Sequence, residues 1–240
     1  EISITAEGAA AFNDATAIVL CFDIILPIAL GSTVSPLEIV LLFLWKLVGG
    51  FLCGLVIAFM MGKVLENVLE GRVISILVLS SAMLSYGLAE TISASGAVAS
   101  VTTGILVSNL RILGIKQIPR APIIEVMENL LFLLEILAFI VLGSLINIDS
   151  LVTYAVPSVI VTLITVLIVW PVSVITSLLP TRSFNLKEMF CLSWIFTGAI
   201  VSAILASTVY SAGIAYADTL LTLSFFTILL SVVIKGTTLT

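Results

Sequence analysis

Few residues of this chain could do chemistry, because 61% of its 240 residues are hydrophobic and only 10% are charged. Asn13 and Asp14 are adjacent within an apolar run, and Ala10, Ala11 and Ala17 lie near Asp14 at helical spacing. Small neighbours leave room for an ion beside the carboxylate. Carboxylate and amide oxygens are hard ligands that suit Na⁺, K⁺ or a proton. The sequence therefore predicts a cation- or proton-binding role for Asp14, assisted by Asn13; the alternative is that both residues merely cap a helix.

Three further ionisable residues fall inside apolar runs. Asp23 follows Asp14 by nine residues, about half a turn around an α-helix and roughly 13 Å along it, so we expect it to face water. Glu135 lies mid-run and needs a cation, a proton or a helix end nearby. Lys46 is expected to pair with a carboxylate, or else to extend its ammonium group to the membrane surface. Glu135 and Lys46 are therefore candidate supporting polar residues within the membrane.

The composition indicates a membrane protein, since a soluble domain typically has about 25% charged residues. Nine basic residues scattered among fourteen acidic ones exclude a nucleic-acid binder, and three cysteines exclude a disulfide scaffold. No histidine is present, and no two aspartates share a helical face, so we expect neither an enzyme nor a cofactor. The first twenty residues lack a cationic signal-peptide region, so the sequence is expected to begin within a longer protein.

The apolar runs are long enough to cross a bilayer, which takes roughly 20 residues. Backbone groups in lipid must be satisfied internally, and such long, unalternating runs satisfy them as helices. The fold class predicted is all-α, a polytopic transmembrane helical bundle of about eight spans. The spans are expected at about 10–30, 37–62, 73–89, 92–110, 122–147, 151–179, 188–210 and 214–235.

Basic residues concentrate in every second connection between these spans. The positive-inside rule therefore places those connections, and both ends of this segment, in the cytoplasm. Only Lys46 among the nine cations lies within a span. The basic connections contain Lys63 and Arg72; Arg111, Lys116 and Arg120; Arg182 and Lys187; and Lys235 closes the last span.

Small residues mark two spans as closely packed. Gly50 and Gly54 form a GxxxG pattern in the second span, which permits close helix contact and is a weak signal for a dimer. The fourth span is rich in Ser, Ala and Gly between Ser93 and Gly104, so we expect it to pack against protein rather than lipid.

The stretch from Glu7 to Leu20, which reads EGAAAFNDATAIVL, resembles the monovalent cation/proton antiporters of the sodium/proton exchanger family, whose pattern reads EGESLxND followed by A or G, T, A, I and V. Further similar segments follow in the same order, so the resemblance spans essentially the whole chain. They are SYGLAE at Ser85 to Glu90, EILAFIVLG at Glu135 to Gly143, and the GAI that begins at Gly198.

The resemblance implies an antiporter fold of two inverted repeats, of which this chain would be the C-terminal portion, lacking most of the N-terminal repeat. Asp14 would bind Na⁺ and H⁺ in competition, and these transported ions, not cofactors, would be its ligands. Residues 1–31 and 149–240 would belong to the ion-translocating core, and 32–148 to scaffold and dimerisation helices. A homodimer in a prokaryotic plasma membrane is expected.

Three departures from the family pattern stand out. Ala9 replaces a glutamate, Trp170 replaces an arginine before a proline, and Thr197 replaces the arginine of an RGA motif. If the glutamate and an arginine pair in relatives, losing both can be neutral, whereas losing one strands a buried charge. The pattern indicates a divergent but folded member, in which Thr197 is a supporting polar position and Glu135 a candidate second carboxylate.

Four functions are compatible with these residues. Electroneutral Na⁺/H⁺ exchange through Asp14 is the leading hypothesis, and K⁺/H⁺ exchange in the same fold is its alternative. A non-transporting membrane subunit or sensor would leave Asp14 structural, and its function would survive Asp14→Asn. An intramembrane hydrolase has the least support, for want of a catalytic set.

Overall fold

The computed structural model describes residues 2–33, 35–68, 70–116, 118, 121–179, 184–195 and 199–238. Within these ranges every regular element is a helix, which confirms the predicted all-α class. The π-helical segments Val19–Ile25 and Thr165–Val169 lie between α-helices in continuous helical runs, and the 3₁₀ segment Leu110–Leu113 lies in the connection between Ser108 and Ala121. The α-helices are α1 Ile2–Ile18, α2 Leu26–Ala29, α3 Pro36–Leu65, α4 Gly71–Thr91, α5 Gly96–Ser108, α6 Ala121–Leu145, α7 Ile148–Ile164, α8 Trp170–Leu178, α9 Leu186–Ile195, α10 Ala199–Ser211 and α11 Ala217–Thr238.

Six helical stretches in the described ranges are long and apolar enough to cross a bilayer, which confirms a polytopic membrane protein. One of the eight predicted spans takes another form: the span expected at 92–110 contains α5, a helix of only 13 residues. The span expected at 188–210 contains α9 and α10 and includes residues 196–198, which lie outside the described ranges. The six stretches are Ala10–Ala29, Pro36–Leu65, Gly71–Thr91, Ile123–Leu145, Ile148–Leu178 and Ala217–Ile234.

The long helix α3 shows why lipid is its natural solvent. Its outward face carries large apolar side chains, with Leu37 69% exposed and Leu41 57% exposed. Its opposite face is made of glycines that are buried in the protein. In water such a distribution would be unfavourable, but lipid tails are as apolar as leucine, so packing selects small residues for the protein-facing side.

The glycine face of α3 packs directly on α5. A Cβ atom at Gly50 would lie 2.6 Å from the carbonyl oxygen of Ser95, and one at Gly54 would lie 2.5 Å from that of Ala99. Only glycine permits this approach of one backbone to another. The GxxxG pattern is thus used for a contact within the chain, and the homodimer stays a prediction. We call this contact the glycine seam: Gly49, Gly50 and Gly54 against Ala94 to Thr102.

Hydroxyl groups complete the packing of α5 between its neighbours. Thr103 donates to the carbonyl oxygen of Gly54 on α3 at 3.2 Å, and Ser100 donates to that of Ala82 on α4 at 2.9 Å. Ala99 and Thr103 are completely buried. The prediction that this small, polar segment packs against protein is therefore confirmed.

The chain divides into two compact units. One comprises residues 11–134 and contains α3, α4 and α5; the other comprises residues 1–10 and 135–240. In the second unit α7 packs on α11, and the Thr162 and Thr227 hydroxyl oxygens lie 3.1 Å apart. A core of buried apolar residues connects α6, α10 and α11: Leu142, Ala203, Ala206, Leu221 and Ile228. The functional division into core and scaffold remains a prediction.

Candidate functional site

Asn13 and Asp14 lie in the interior of a helix. The α1 helix runs from Ile2 to Ile18 and continues through the π-helical segment into α2. Both residues fall within the apolar stretch Ala10–Ala29, which can cross a membrane. Because helix caps occupy the ends of helices, the interpretation of these residues as caps was wrong.

Apolar neighbours hold the helix around Asp14 in place. Ala15 and Val19, which are 3% and 0% exposed, pack on Val98 of α5, with Phe43 and Leu47 of α3 beside them. Contacts at Ala15 and Val19, one turn apart, hold this part of the helix against α3 and α5.

The Asp14 carboxylate is half-buried and the Asn13 side chain is exposed. Among the residues that the structure describes, neither side chain has an ion-pair or hydrogen-bond partner; the nearby Thr16 hydroxyl is occupied by the carbonyl oxygens of Phe12 and Asn13. A carboxylate in a membrane span without a protein partner is chemically free to bind a cation or a proton.

Asp23 is engaged, in contrast. Lys46 Nζ lies 2.8 Å from Asp23 Oδ1, and the two side chains are 11% and 27% exposed. Of the two interpretations of Lys46, the ion pair is the one observed. The expectation that Asp23 faces water was wrong, because its carboxylate is directed to α3 and is largely covered.

The π-helical segment Val19–Ile25 contributes to this outcome. A π-helix bonds each carbonyl to the amide five residues on, so each residue turns less than in an α-helix. Asp23 is therefore rotated back from the half-turn that a straight α-helix would place between it and Asp14. A straight α-helix would place Asp23 on the side opposite to Asp14, and the π-helical segment is the reason why this expectation fails.

Lys46 occupies a rigid position in α3. The helix begins with a capping box, in which Ser35 and Glu38 bond to each other's backbone amides, and Pro36 follows the cap. Further along, the backbone amide of Ser95 donates to the carbonyl oxygen of Lys46 at 3.1 Å. The indole of Trp45 donates to the carbonyl oxygen of Ile92 at 3.3 Å. The α4–α5 turn thus holds α3 at the residue that carries the ammonium group.

Glu90 organises that turn, a role the sequence did not indicate. Its Oε1 accepts from the backbone amide of Gly96 at 2.9 Å, and the Ser95 hydroxyl accepts from that of Val98 at 3.3 Å. A carboxylate at the start of α5 also compensates the positive end of the helix dipole. Ser93 adopts φ +57°, which allows the tight reversal between the two helices.

The remaining predicted residues are not brought to Asp14 by any described contact. Glu135 is half-buried near the middle of the stretch Ile123–Leu145 and has no hydrogen-bond or ion-pair partner among the described residues. Thr197 lies outside the described residues, as does the side chain of Ala9. Trp170 begins α8. The roles proposed for Asn13, Asp14, Glu135 and Thr197 therefore stay predictions.

Comparison with known proteins supplies the family. The model of the sodium/hydrogen exchanger transmembrane family matches residues 1–240. The K⁺/H⁺ antiporter NhaP2 of Shewanella baltica is 28% identical over 241 residues, which cover 100% of this chain and 41% of that protein. The Na⁺/H⁺ antiporter ApNhaP of Aphanothece halophytica is 27% identical over 215 residues, with 87% of this chain and 41% of that protein covered.

A third relative is also named as a Na⁺/H⁺ antiporter. The low-affinity Na⁺/H⁺ antiporter NhaS1 of Synechocystis is 31% identical over 147 residues, which are 60% of this chain and 28% of that protein. The chain thus spans about two fifths of the length of the first relatives it matches. The family model, in contrast, covers the chain from end to end, and the resemblance drawn from the stretch Glu7 to Leu20 is confirmed. The chain belongs to the sodium/hydrogen exchanger family of transmembrane proteins.

Proposed function

We propose that the complete protein is a secondary active monovalent cation/proton antiporter that works by alternating access. The observation that carries the proposal is the family match over residues 1–240. The geometry supports Asp14 as the ion-binding carboxylate, because it lies within a membrane-spanning helix and has no partner among the described residues. Asn13 supplies a neutral oxygen beside it, suited to a hard monovalent cation.

A single carboxylate explains why transport is an exchange. An uncompensated charge at the centre of a membrane helix costs about 2.5–3.5 kcal/mol on insertion scales. Either a cation or a proton neutralises Asp14, whereas the empty site keeps its charge. The site therefore crosses the apolar zone more readily when a cation or a proton neutralises Asp14 than when Asp14 is charged and empty. After one ion is released, the other ion must bind before the site returns, and this makes the transport an exchange.

We propose a one-for-one, electroneutral stoichiometry. Asp14 exchanges one positive charge for another, and Asp23, the other acidic residue of the same span, is neutralised by Lys46. The transported cation is a substrate rather than a resident metal. Relatives named for K⁺ and for Na⁺ both match this chain, so Na⁺ and K⁺ are the two candidate cations.

We propose further that the working transporter contains additional membrane helices and forms a homodimer. The greater length of the relatives supports the additional helices, which would supply the other inverted repeat. Residues 1–31 and 149–240 would then move as part of the core against the scaffold at 32–148. The distribution of Lys and Arg supports cytoplasmic placement of both ends of this segment. The organisms of the relatives, Shewanella, Aphanothece and Synechocystis, support a prokaryotic plasma membrane.

The test is ion exchange by the complete gene product in liposomes. Internal pH is followed with a trapped dye after pulses of Na⁺, K⁺ or Li⁺, for the wild type, Asp14→Asn and Glu135→Gln. We expect cation-driven proton efflux in the wild type, loss to the background of empty liposomes in Asp14→Asn, and persistent exchange in Glu135→Gln.

Each other outcome assigns a different function. Unchanged exchange in Asp14→Asn together with loss in Glu135→Gln would move the site to Glu135. A folded wild type that exchanges no cation would contradict antiport and favour the non-transporting subunit or sensor.

A further inference from the structure

The ion pair between Asp23 and Lys46 connects the helix that carries Asp14 to α3. Its atoms lie 2.8 Å apart, a distance at which a charged hydrogen bond is strong. Lys46 is buried, although lysine is among the side chains least often buried. An ammonium group retained in this environment needs its carboxylate, so the pair strongly constrains the relative position of the two helices.

The ion pair and the apolar contacts restrain different movements of the same helix. Ala15 and Val19 press the helix onto α3 and α5 but, as small or apolar side chains, permit sliding and rotation. Asp23 adds a directional contact just beyond Val19, within the π-helical segment. Since α-helical backbone connects Asn13 and Asp14 to that segment, a rotation at Asp23 is transmitted to both.

The other end of the pair is anchored independently. Lys46 belongs to the part of α3 where the glycine seam begins, and its carbonyl oxygen accepts the Ser95 amide. Neither contact involves the side chain of Lys46. The ammonium group therefore projects from a backbone that is already held, and it acts as a fixed reference for Asp23.

We propose that Asp23 and Lys46 are positioning residues for the cation site, a role that rests on the proposed function. In the conformation described, the pair sets the rotation of the helix that carries Asn13 and Asp14 against α3, and it must separate when residues 1–31 move against α3. It also keeps the Asp23 carboxylate occupied, so that the transported cation meets one free carboxylate on this helix rather than two.

A purely structural role makes a different prediction. If the pair only balances charge, replacing both residues by neutral ones should restore wild-type transport, because neither charge is then stranded. If the pair positions Asp14, the neutral protein should fold but bind the cation poorly. The two possibilities are separated by the KM for the cation, not by folding.

The experiment measures exchange by the complete protein in liposomes as a function of Na⁺ and K⁺ concentration. The test variant is the double substitution Asp23→Asn with Lys46→Gln, and Asp23→Leu with Lys46→Met is the second form should the first fold poorly. Lys46→Arg preserves the pair. The matched control is Lys63→Gln with Glu66→Gln, which removes an exposed ion pair of 3.8 Å at the end of α3.

We expect the neutral doubles to raise the cation KM roughly 10- to 100-fold with a smaller change in kcat, since a small misplacement of a binding group has effects of this order. Lys46→Arg should stay within about threefold of the wild type, and the Lys63 control should be unchanged. Cation-dependent thermal stabilisation of the purified proteins should follow the same order as KM.

A wild-type KM in a folded neutral double would overturn the positioning role and leave the proposed function standing. Wild-type protein with neither exchange nor cation-dependent stabilisation would overturn the proposed function, and the positioning role with it. If neither neutral double folds, the double substitution Asp23→Asn with Lys46→Arg is measured instead. A wild-type KM in that protein, which lacks the ion pair, would also contradict the positioning role.

Discussion

Asp14 and Asp23 lie on one membrane-spanning helix, nine residues apart, yet their surroundings differ. Asp23 lies in a π-helical segment and is paired with a buried lysine. Asp14 lies in regular α-helix, flanked by alanines, and has no partner among the described residues. The same kind of side chain thus has two environments in one span: the charge of Asp23 is neutralised by Lys46, and Asp14 has no described partner that would neutralise it.

The difference shows how stability and function are separated along the helix. A paired intramembrane charge contributes to the structure, since removing its partner leaves an uncompensated charge. An unpaired one lowers stability until an ion binds, because binding to the folded state shifts the folding equilibrium. Substitution by asparagine should therefore destabilise the protein at Asp23 but not at Asp14.

The largest expected effect is on stability. Asp23→Asn alone should lower the free energy of unfolding by about 3 kcal/mol, because Lys46 is left without its carboxylate. Asp14→Asn should leave it unchanged or raise it, since an unpaired charge is removed. Unfolding in mixed micelles without added Na⁺ or K⁺ measures both, with Asp149→Asn at the exposed start of α7 as the control. Equal losses for the two aspartates would erase the contrast between them.

The glycine seam holds the part of α3 from which the Lys46 side chain extends. Gly54→Ala should destabilise the protein by about 1–3 kcal/mol, because its Cβ would lie 2.5 Å from the Ala99 carbonyl oxygen and 2.7 Å from Thr102 Cβ. Gly104→Ala is the matched control within α5. No atom lies within 4 Å of a Cβ there, so alanine should be neutral or stabilise by up to about 1 kcal/mol.

Thermal unfolding of the two glycine variants in the same detergent provides the measurement. A Gly54→Ala protein as stable as Gly104→Ala would mean that α3 can move away from α5 at little cost. Lys46 would then not be a fixed reference for Asp23.

On the Asp14 side, Asn13 should assist cation binding. Asn13→Ala removes a neutral oxygen beside the carboxylate and should raise the cation KM about tenfold, which corresponds to about 1.4 kcal/mol. Exchange assays over a range of cation concentrations measure the change. Asn129→Ala is the control, because that amide bonds to the Glu125 carbonyl oxygen of its own helix. An unchanged KM in Asn13→Ala would leave Asp14 to bind its ion without the amide.

The smallest expected effect is the loss of a hydrogen bond between two uncharged side chains. Thr162→Val removes the contact between the Thr162 and Thr227 hydroxyl groups and should cost about 0.6 kcal/mol, the average for hydrogen bonds between membrane helices. The double substitution with Thr227→Val should cost little more than the single one. Thr176→Val, whose hydroxyl bonds only to nearby carbonyls of α8, is the control for unfolding measurements. A loss as large as that of Asp23→Asn would show that charge is not what distinguishes the Asp23 pair.

Much of the helical organisation follows from the sequence, because lipid imposes a simple rule on apolar runs. The breaks expected at Gly31 and Gly213 are turns in which these glycines adopt φ +96° and +68°, a region that other residues rarely enter. The shortness of α5 was harder to foresee, because the run expected at 92–110 is apolar enough for a full span. Spacing alone also could not name the partner of Gly50 and Gly54, because a close contact within the chain and one between chains need the same small residues.

The candidate site was predictable only in part. The isolated position of Asp14 among alanines is visible in the sequence, because a charge in an apolar run is costly and conspicuous. The sequence did not show which carboxylate pairs with Lys46, because the pairing depends on the π-helical segment and on the depth at which α3 and the Asp14 helix meet. Glu90 was equally hidden, because a carboxylate in a connection gives no sign that it bonds to the next helix.

The shortness of α5 has a consequence for the surrounding lipid. Thirteen residues rise about 20 Å, which is roughly 10 Å less than the hydrocarbon thickness of a bilayer. The other arm of the hairpin, α4, has 21 residues and rises about 31 Å, so the two arms differ in length by about 12 Å and their ends opposite the turn lie at different depths. The Trp45 indole, bonded to the carbonyl oxygen of Ile92 at this level, is a side chain suited to the headgroup region. We expect the stability of this hairpin, and of the turn that holds Lys46, to depend on acyl-chain length.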